Sequence, residues 1–243
     1  FVAITFNPEE VDIMNDQFQT TDKFVNHVAE LSQLASANIN NYSVKNLSTF
    51  QIFRFPVSMH TYGAGTTQLV QQYVKRLREE EVQDAIGMSE LLKHFRCKDK
   101  AELDQMLQRM TSIVVEAQSD EAGTLRKLWH AIGGTSAEPP SPCVVWTAHQ
   151  LCAALVAVLR KRPVFLAVDE IADFKTYDNL QWLRTQLIDI IMTLRTNHPN
   201  LYPLHIAAVG QVDAAMAQGA RGGGTSPIPN QRIVLAPLHS NHV

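Results

Sequence analysis

Two short runs constrain this chain more than anything else in it: Val164–Val168 (VFLAV) and Leu204–Val209 (LHIAAV), each almost wholly apolar. A strand with one wet face alternates apolar and polar residues, so an unbroken apolar run reads as a strand covered on both faces. Strands of that kind belong to parallel sheets sandwiched between helices. Helical patterns surround both runs. Leu69, Val70, Tyr73, Val74 and Leu77 recur on one helical stripe, and long helices are expected over Ala148–Arg160 and Leu180–Thr196. The expected fold class is α/β, a three-layer parallel sheet.

Other segments fit the same plan. Phe1–Phe6 reads as a strand stopped by Asn7-Pro8, and a helix is expected from Thr21 through Leu34 and Ala35. Phe50–Met59 is a second strand, although Pro56 argues against a central position because it has no N–H for a ladder. Residues 88–132 read as helical throughout, with Asp99 as an N-cap. Gly133–Pro142 (GGTSAEPPSP) reads as a linker, and Ile233–Leu235 as a closing strand. The organisation expected is a sheet portion over 1–69, a helical insertion or subdomain over 70–132, the linker 133–142, and a second sheet portion over 143–243. The chain opens on Phe1 within a strand pattern, which suggests a natural start further upstream.

Composition excludes several classes. With 243 residues and 45% hydrophobic side chains, a core can form without disulfides. Cys97, Cys143 and Cys152 lack CxxC spacing, which fits buried thiols in a reducing intracellular compartment rather than a disulfide framework or a zinc site. A net charge of −3 offers no basic surplus for gripping nucleic acid. No apolar run approaches the ~20 residues of a membrane helix. No HExxH or GxSxG motif occurs, so metalloprotease and serine-hydrolase chemistry have no sequence support.

The chemistry concentrates where the apolar runs end. VFLAV runs directly into Asp169-Glu170, and in open parallel sheets ligands bind beyond the carboxyl ends of strands. A carboxylate there can hold a magnesium ion, and a neighbouring Glu can orient or deprotonate water. The same pair would also serve as a cap and a solvated neighbour. Leu204–Val209 ends in Gly210-Gln211, a polar residue at the equivalent strand end. Between a strand and a helix stands His60-Thr61-Tyr62-Gly63-Ala64-Gly65-Thr66-Thr67.

The strand ending in Asp169-Glu170 resembles the Walker B element of P-loop NTPases of the AAA+ and STAND kinds, in which Gln211 would take the sensor position. The resemblance implies ATP with Mg²⁺, Asp169 and Thr67 on the metal, and Glu170 and Gln211 as the catalytic pair. Gly63, Gly65, Thr66 and Thr67 would form the phosphate cradle. That cradle departs from GxxxxGK[ST] at two places, with His60 for the first Gly and Thr66 for the Lys. The order Phe1–Asn7, Asp169-Glu170, Gly210-Gln211, Leu235–Leu238 is also similar to that of Crinkler effectors and trypanosomatid retrotransposon hot spot proteins, which would place the true P-loop before Phe1. The function expected is nucleotide binding with slow hydrolysis. The alternative is a non-catalytic interaction module on a decayed ATPase fold, presenting residues 70–132 to a protein partner.

Overall fold

The computed structural model describes residues 27–43, 53–60, 66–132, 148–171, 177–211 and 230–232. Among these, a five-stranded, wholly parallel sheet runs in the order β2-β3-β4-β1-β5. Its strands are β1 Phe55–His60, β2 Thr111–Glu116, β3 Val164–Asp169, β4 Leu204–Gln211 and β5 Asn230–Arg232. The helices are α1 Val28–Ser43, α2 Thr66–Arg76, α3 Glu80–Ile86, α4 Met88–Phe95, α5 Lys100–Gln108, α6 Glu121–Ile132, α7 Ala148–Leu159 and α8 Tyr177–Asn197.

The period of two along each strand sorts the core into two sides of one sheet. Val164, Leu166 and Val168 of β3 pack with Ile206 and Ala208 of β4 against α6, α7 and α8. Phe165, Ala167, Ala207 and Val209 face the opposite way, into a second core built from α1 to α5. Every residue of β3 is buried, as expected of a strand covered on both faces. The expected α/β three-layer architecture is therefore the one observed. From β1 the chain crosses to the far edge at β2 over the α1–α5 face, then returns through β3 to β4 over the other face. Right-handed crossovers made in opposite directions must lie on opposite faces.

Three expectations need comment. The helical reading of 88–132 is corrected: Thr111–Glu116 (TSIVVE) is a strand, paired parallel with β3 from Thr111↔Val164 to Glu116↔Asp169. Its β-branched residues are the signal that was outweighed by the helical stripes on either side. Pro56 does lie in a central strand, between β4 and β5. Pairing with β4 begins only at Val57, so on that side the proline precedes the ladder, while on the other side it stands in register with Gln231 of β5. Asp99 caps α5 as expected: Asp99 Oδ1 accepts from Glu102 N at 2.9 Å, while Glu102 Oε2 accepts from Lys98 N at 2.7 Å. The expected strands Phe1–Phe6 and Ile233–Leu235, and the linker 133–142, lie outside the described residues.

Where β1 and β4 have not yet paired, α1 fills the gap with side-chain amides. Asn38 accepts from Ile206 N at 2.7 Å and donates to Ile206 O at 3.0 Å. Asn41 treats Arg54 the same way, accepting from its N–H and donating to its C=O, both at 2.7 Å. The Tyr42 hydroxyl accepts from Leu204 N at 2.7 Å. Each amide thus presents one acceptor and one donor, as a neighbouring strand would, to backbone groups that cannot remain unpaired in a core.

A second polar chain ties helices to the sheet. The Tyr73 hydroxyl on α2 is hydrogen-bonded to His205 Nδ1 at 2.8 Å, and His205 Nε2 lies 2.8 Å from His94 Nε2 on α4. Burial pushes the His94 ring down to about 3, with nearby Arg96 adding to the shift, and depresses fully buried His205 well below the ordinary range. Both rings are neutral, and Tyr73 stays protonated because its burial raises its pKa.

Two outcomes follow from these contacts. Asn38→Leu orphans the Ile206 N–H and C=O at a position with no exposure, and should cost about 2–5 kcal/mol in urea unfolding. An effect below about 1 kcal/mol would show that the amide does not stand in for a strand. The histidines set the acid limb of stability. Their folded pKa values lie below the unfolded value of 6.5, so below pH 6.5 the unfolded chain binds more protons. Stability should be fully present above pH 6.5 and fall towards pH 3, by up to about 1.4 kcal/mol per pH unit for each ring. His94→Gln should flatten that slope in a pH series of denaturant melts, and an unchanged slope would assign it to other groups.

Candidate functional site

The carboxyl edge of the sheet holds Thr67, Asp169, Glu170 and Gln211 among the residues singled out from the sequence. β1 leaves towards the α1–α5 face and β3, on the other side of β4, towards the α6–α8 face, so chain departs on both sides of the sheet around β4. A crevice at such a reversal is where open α/β sheets bind ligands. β1 ends at His60 and α2 begins at Thr66. Gly63 and Gly65 lie between them, outside the described residues. Thr66 is the first residue of α2 and Thr67 is half-buried in its first turn.

Asp169 is the centre of the arrangement. It continues the alternation of Phe165 and Ala167 towards the α2 side, and it is only 4% exposed. The Thr67 hydroxyl hydrogen-bonds its carboxylate, and Glu170 N donates to Asp169 Oδ1 at 2.8 Å. Burial raises the Asp169 pKa above the usual carboxylate value, the Glu116 charge adding to the rise while the two hydrogen bonds oppose it. The structure thus joins Thr67 to Asp169, two residues the sequence reading assigned to one metal.

Glu170 follows in an unusual backbone conformation, with φ +55 in the left-handed region that favours glycine. Among the described residues only Arg96 shares this property as a non-glycine. The turn re-aims the chain directly after Asp169, and the cost is of order 1 kcal/mol. Gln211, the last residue of β4, pairs in register with His60, which places it at the same sheet edge. Glu116 was not singled out from the sequence. It ends β2 opposite Asp169, its carboxylate 3.3 Å from Lys127 Nζ, and Ala117 N donates to Asp169 O at 2.7 Å. Recognising β2 as a strand would have revealed it.

The oxygen set of a buried carboxylate and a threonine hydroxyl suits a small hard cation such as Mg²⁺, which takes one or two carboxylates and completes its shell with other oxygens. Thr66 stands where a GxxxxGK[ST] motif would carry its lysine. Among the arginines, Arg184 is buried on α8 and Arg195 lies near its far end, by the amino edge of the sheet. Among the described residues no helix is long and apolar enough to cross a membrane, and no group of three metal-ligating side chains is found. Cys97 and Cys152 are free thiols.

No protein-family model matches this sequence, and no curated protein matches it. Among solved structures the chain is similar to C. elegans PCH-2, at 12% sequence identity and a TM-score of 0.34. The match covers 86% of this chain and 41% of that one, so the chain spans less than half the length of this neighbour.

Proposed function

We propose that this chain binds ATP with Mg²⁺ at the carboxyl edge of its sheet, in the manner of a P-loop NTPase of AAA+ or STAND type, and turns it over slowly if at all. One observation carries the reading: the hydroxyl of Thr67, in the first turn of the helix after β1, bonds the buried carboxylate that ends β3. That pairing is what a magnesium site shared between phosphate cradle and acidic strand requires. The position of β1 beside β4 also supports a cradle at Gly63–Thr67 within this chain, rather than one before Phe1.

In this reading Asp169 and Thr67 hold the cation, and the amides around Gly63, Gly65 and Thr66 wrap the phosphates. Glu170 orients water and Gln211 senses the terminal phosphate. Thr66 in place of lysine removes the main protein cation from the β- and γ-oxygens. Binding therefore leans on the metal, and hydrolysis is weak.

Titration with labelled ATP, with and without magnesium, tests this directly. Asp169→Ala should abolish the magnesium-dependent part of binding, and Thr66→Lys should tighten it by about 10–150-fold, the worth of one charge-assisted contact. Binding insensitive to both substitutions and to chelation would leave the interaction-module reading through residues 70–132. Glu170→Gly separates function from fold: it relieves a positive φ and should raise unfolding stability by about 1 kcal/mol, while removing any hydrolysis. A destabilised variant would show that the Glu170 side chain is structural.

A further inference from the structure

The end of the sheet opposite the candidate nucleotide site holds a cavity of about 230 Å³. It opens where α1, α4 and α8 end, beside the loop that enters β4, and Arg96, Arg195, His198, Tyr42 and Tyr202 line it. β4 separates it from Gln211 by roughly 20 Å of strand. No acidic side chain is among its lining residues.

Two guanidinium groups converge here. Arg195 sits 5.7 Å from the centre of the Tyr42 ring, and its Nη1 donates to Asn41 O at 2.6 Å. Arg96 donates through Nη2 to Pro199 O. Both act electrostatically on the same Tyr42 hydroxyl, so two like charges share one half-enclosed space. Three helix carboxyl ends oppose an anion, each with about half a charge, and two guanidinium groups supply two, leaving a surplus of about half a positive charge. Arg96 also holds φ +59 at the C-cap of α4, where glycine is the residue of least strain. A strained arginine kept at a glycine position points to a use for its side chain.

We infer that this cavity binds a small phosphate-bearing ligand whose ring seats against Tyr42 and Tyr202 while its oxyanion meets the forks of Arg96 and Arg195. Guanidinium forks match phosphate oxygens in pairs, and the aromatic walls suit a planar body. The volume accommodates a phosphate with one small ring rather than a nucleoside triphosphate, which makes this site independent of the one proposed above.

Thermal melts at matched ionic strength, with phenyl phosphate, inorganic phosphate or chloride, test the inference. Phenyl phosphate at tenfold its Kd should raise the midpoint by about 3–6 °C, and inorganic phosphate at the same concentration should raise it less. Arg96→Gly should melt no lower than the parent without ligand, because glycine adopts this conformation freely, yet show no ligand-induced rise. Arg96→Lys, which keeps charge but not the fork, should retain part of it. Thr67→Val, altered only at the carboxyl edge, should keep the whole rise. A parent protein that does not respond, or a rise that survives Arg96→Gly, overturns the site. So does a rise lost in Thr67→Val, which would put the phosphate in the cradle. Equal responses to the two phosphates overturn the aromatic ligand.

Discussion

The Ile206 amide and carbonyl lie in the middle of a buried sheet, and in that half of β4 the neighbour on one side is not a strand but Asn38 of α1. A parallel sheet covered on both faces cannot leave such groups without partners, because each would cost about 1–3 kcal/mol in a dry core. By supplying them, α1 is locked to both β1 and β4, since Asn41 grips Arg54 while Asn38 grips Ile206. β1 can then join β4 late, with Pro56 ahead of that pairing, and still emerge at His60 beside Gln211. The amino ends of two strands are held apart so that their carboxyl ends meet in register, and the candidate site depends on that.

At that edge the dominant electrostatic fact is a carboxylate in the wrong solvent. Burial raises the Asp169 pKa despite hydrogen bonds from Glu170 N–H and Thr67, so desolvation exceeds what two donors return. Hydrogen bonds to a charged acceptor contribute about 1.5–3 kcal/mol each, and the loss of hydration for a largely buried carboxylate is several kcal/mol. The balance leaves Asp169 under-compensated. A divalent cation is the partner that would reverse the sign of the shift, whereas a purely structural cap would gain little from being buried so deeply.

Much of this was legible in sequence because it is local. Unbroken apolar runs mark β3 and β4, the 3.6-residue stripe marks α2, and Asp99 marks the start of α5. What escaped is non-local or ambiguous. Asn38 reads as an unremarkable polar residue on a helix until a strand far along the chain is placed beside it. Thr111–Glu116 is too short and too closely hemmed by helices for a period of two to stand out, and with it went Glu116. At the site, Asp169 and Glu170 could be chosen from their strand-end position, but the Thr67 contact needs α2 to be docked on the correct face. No spacing rule carries that information.

The docking of α2 rests on a buried polar contact. Tyr73 lies six residues along from Thr67, about 9 Å down the same helix, and its hydroxyl is bonded to His205 in the strand that ends at Gln211. His94 continues the chain into α4, so neutral imidazoles join two helices of one layer to the central strand. Charging either ring would bring a cation into a packed interior, at a cost in stability. A contact in the middle of the layer thus helps fix α2, and with it Thr67, against the sheet.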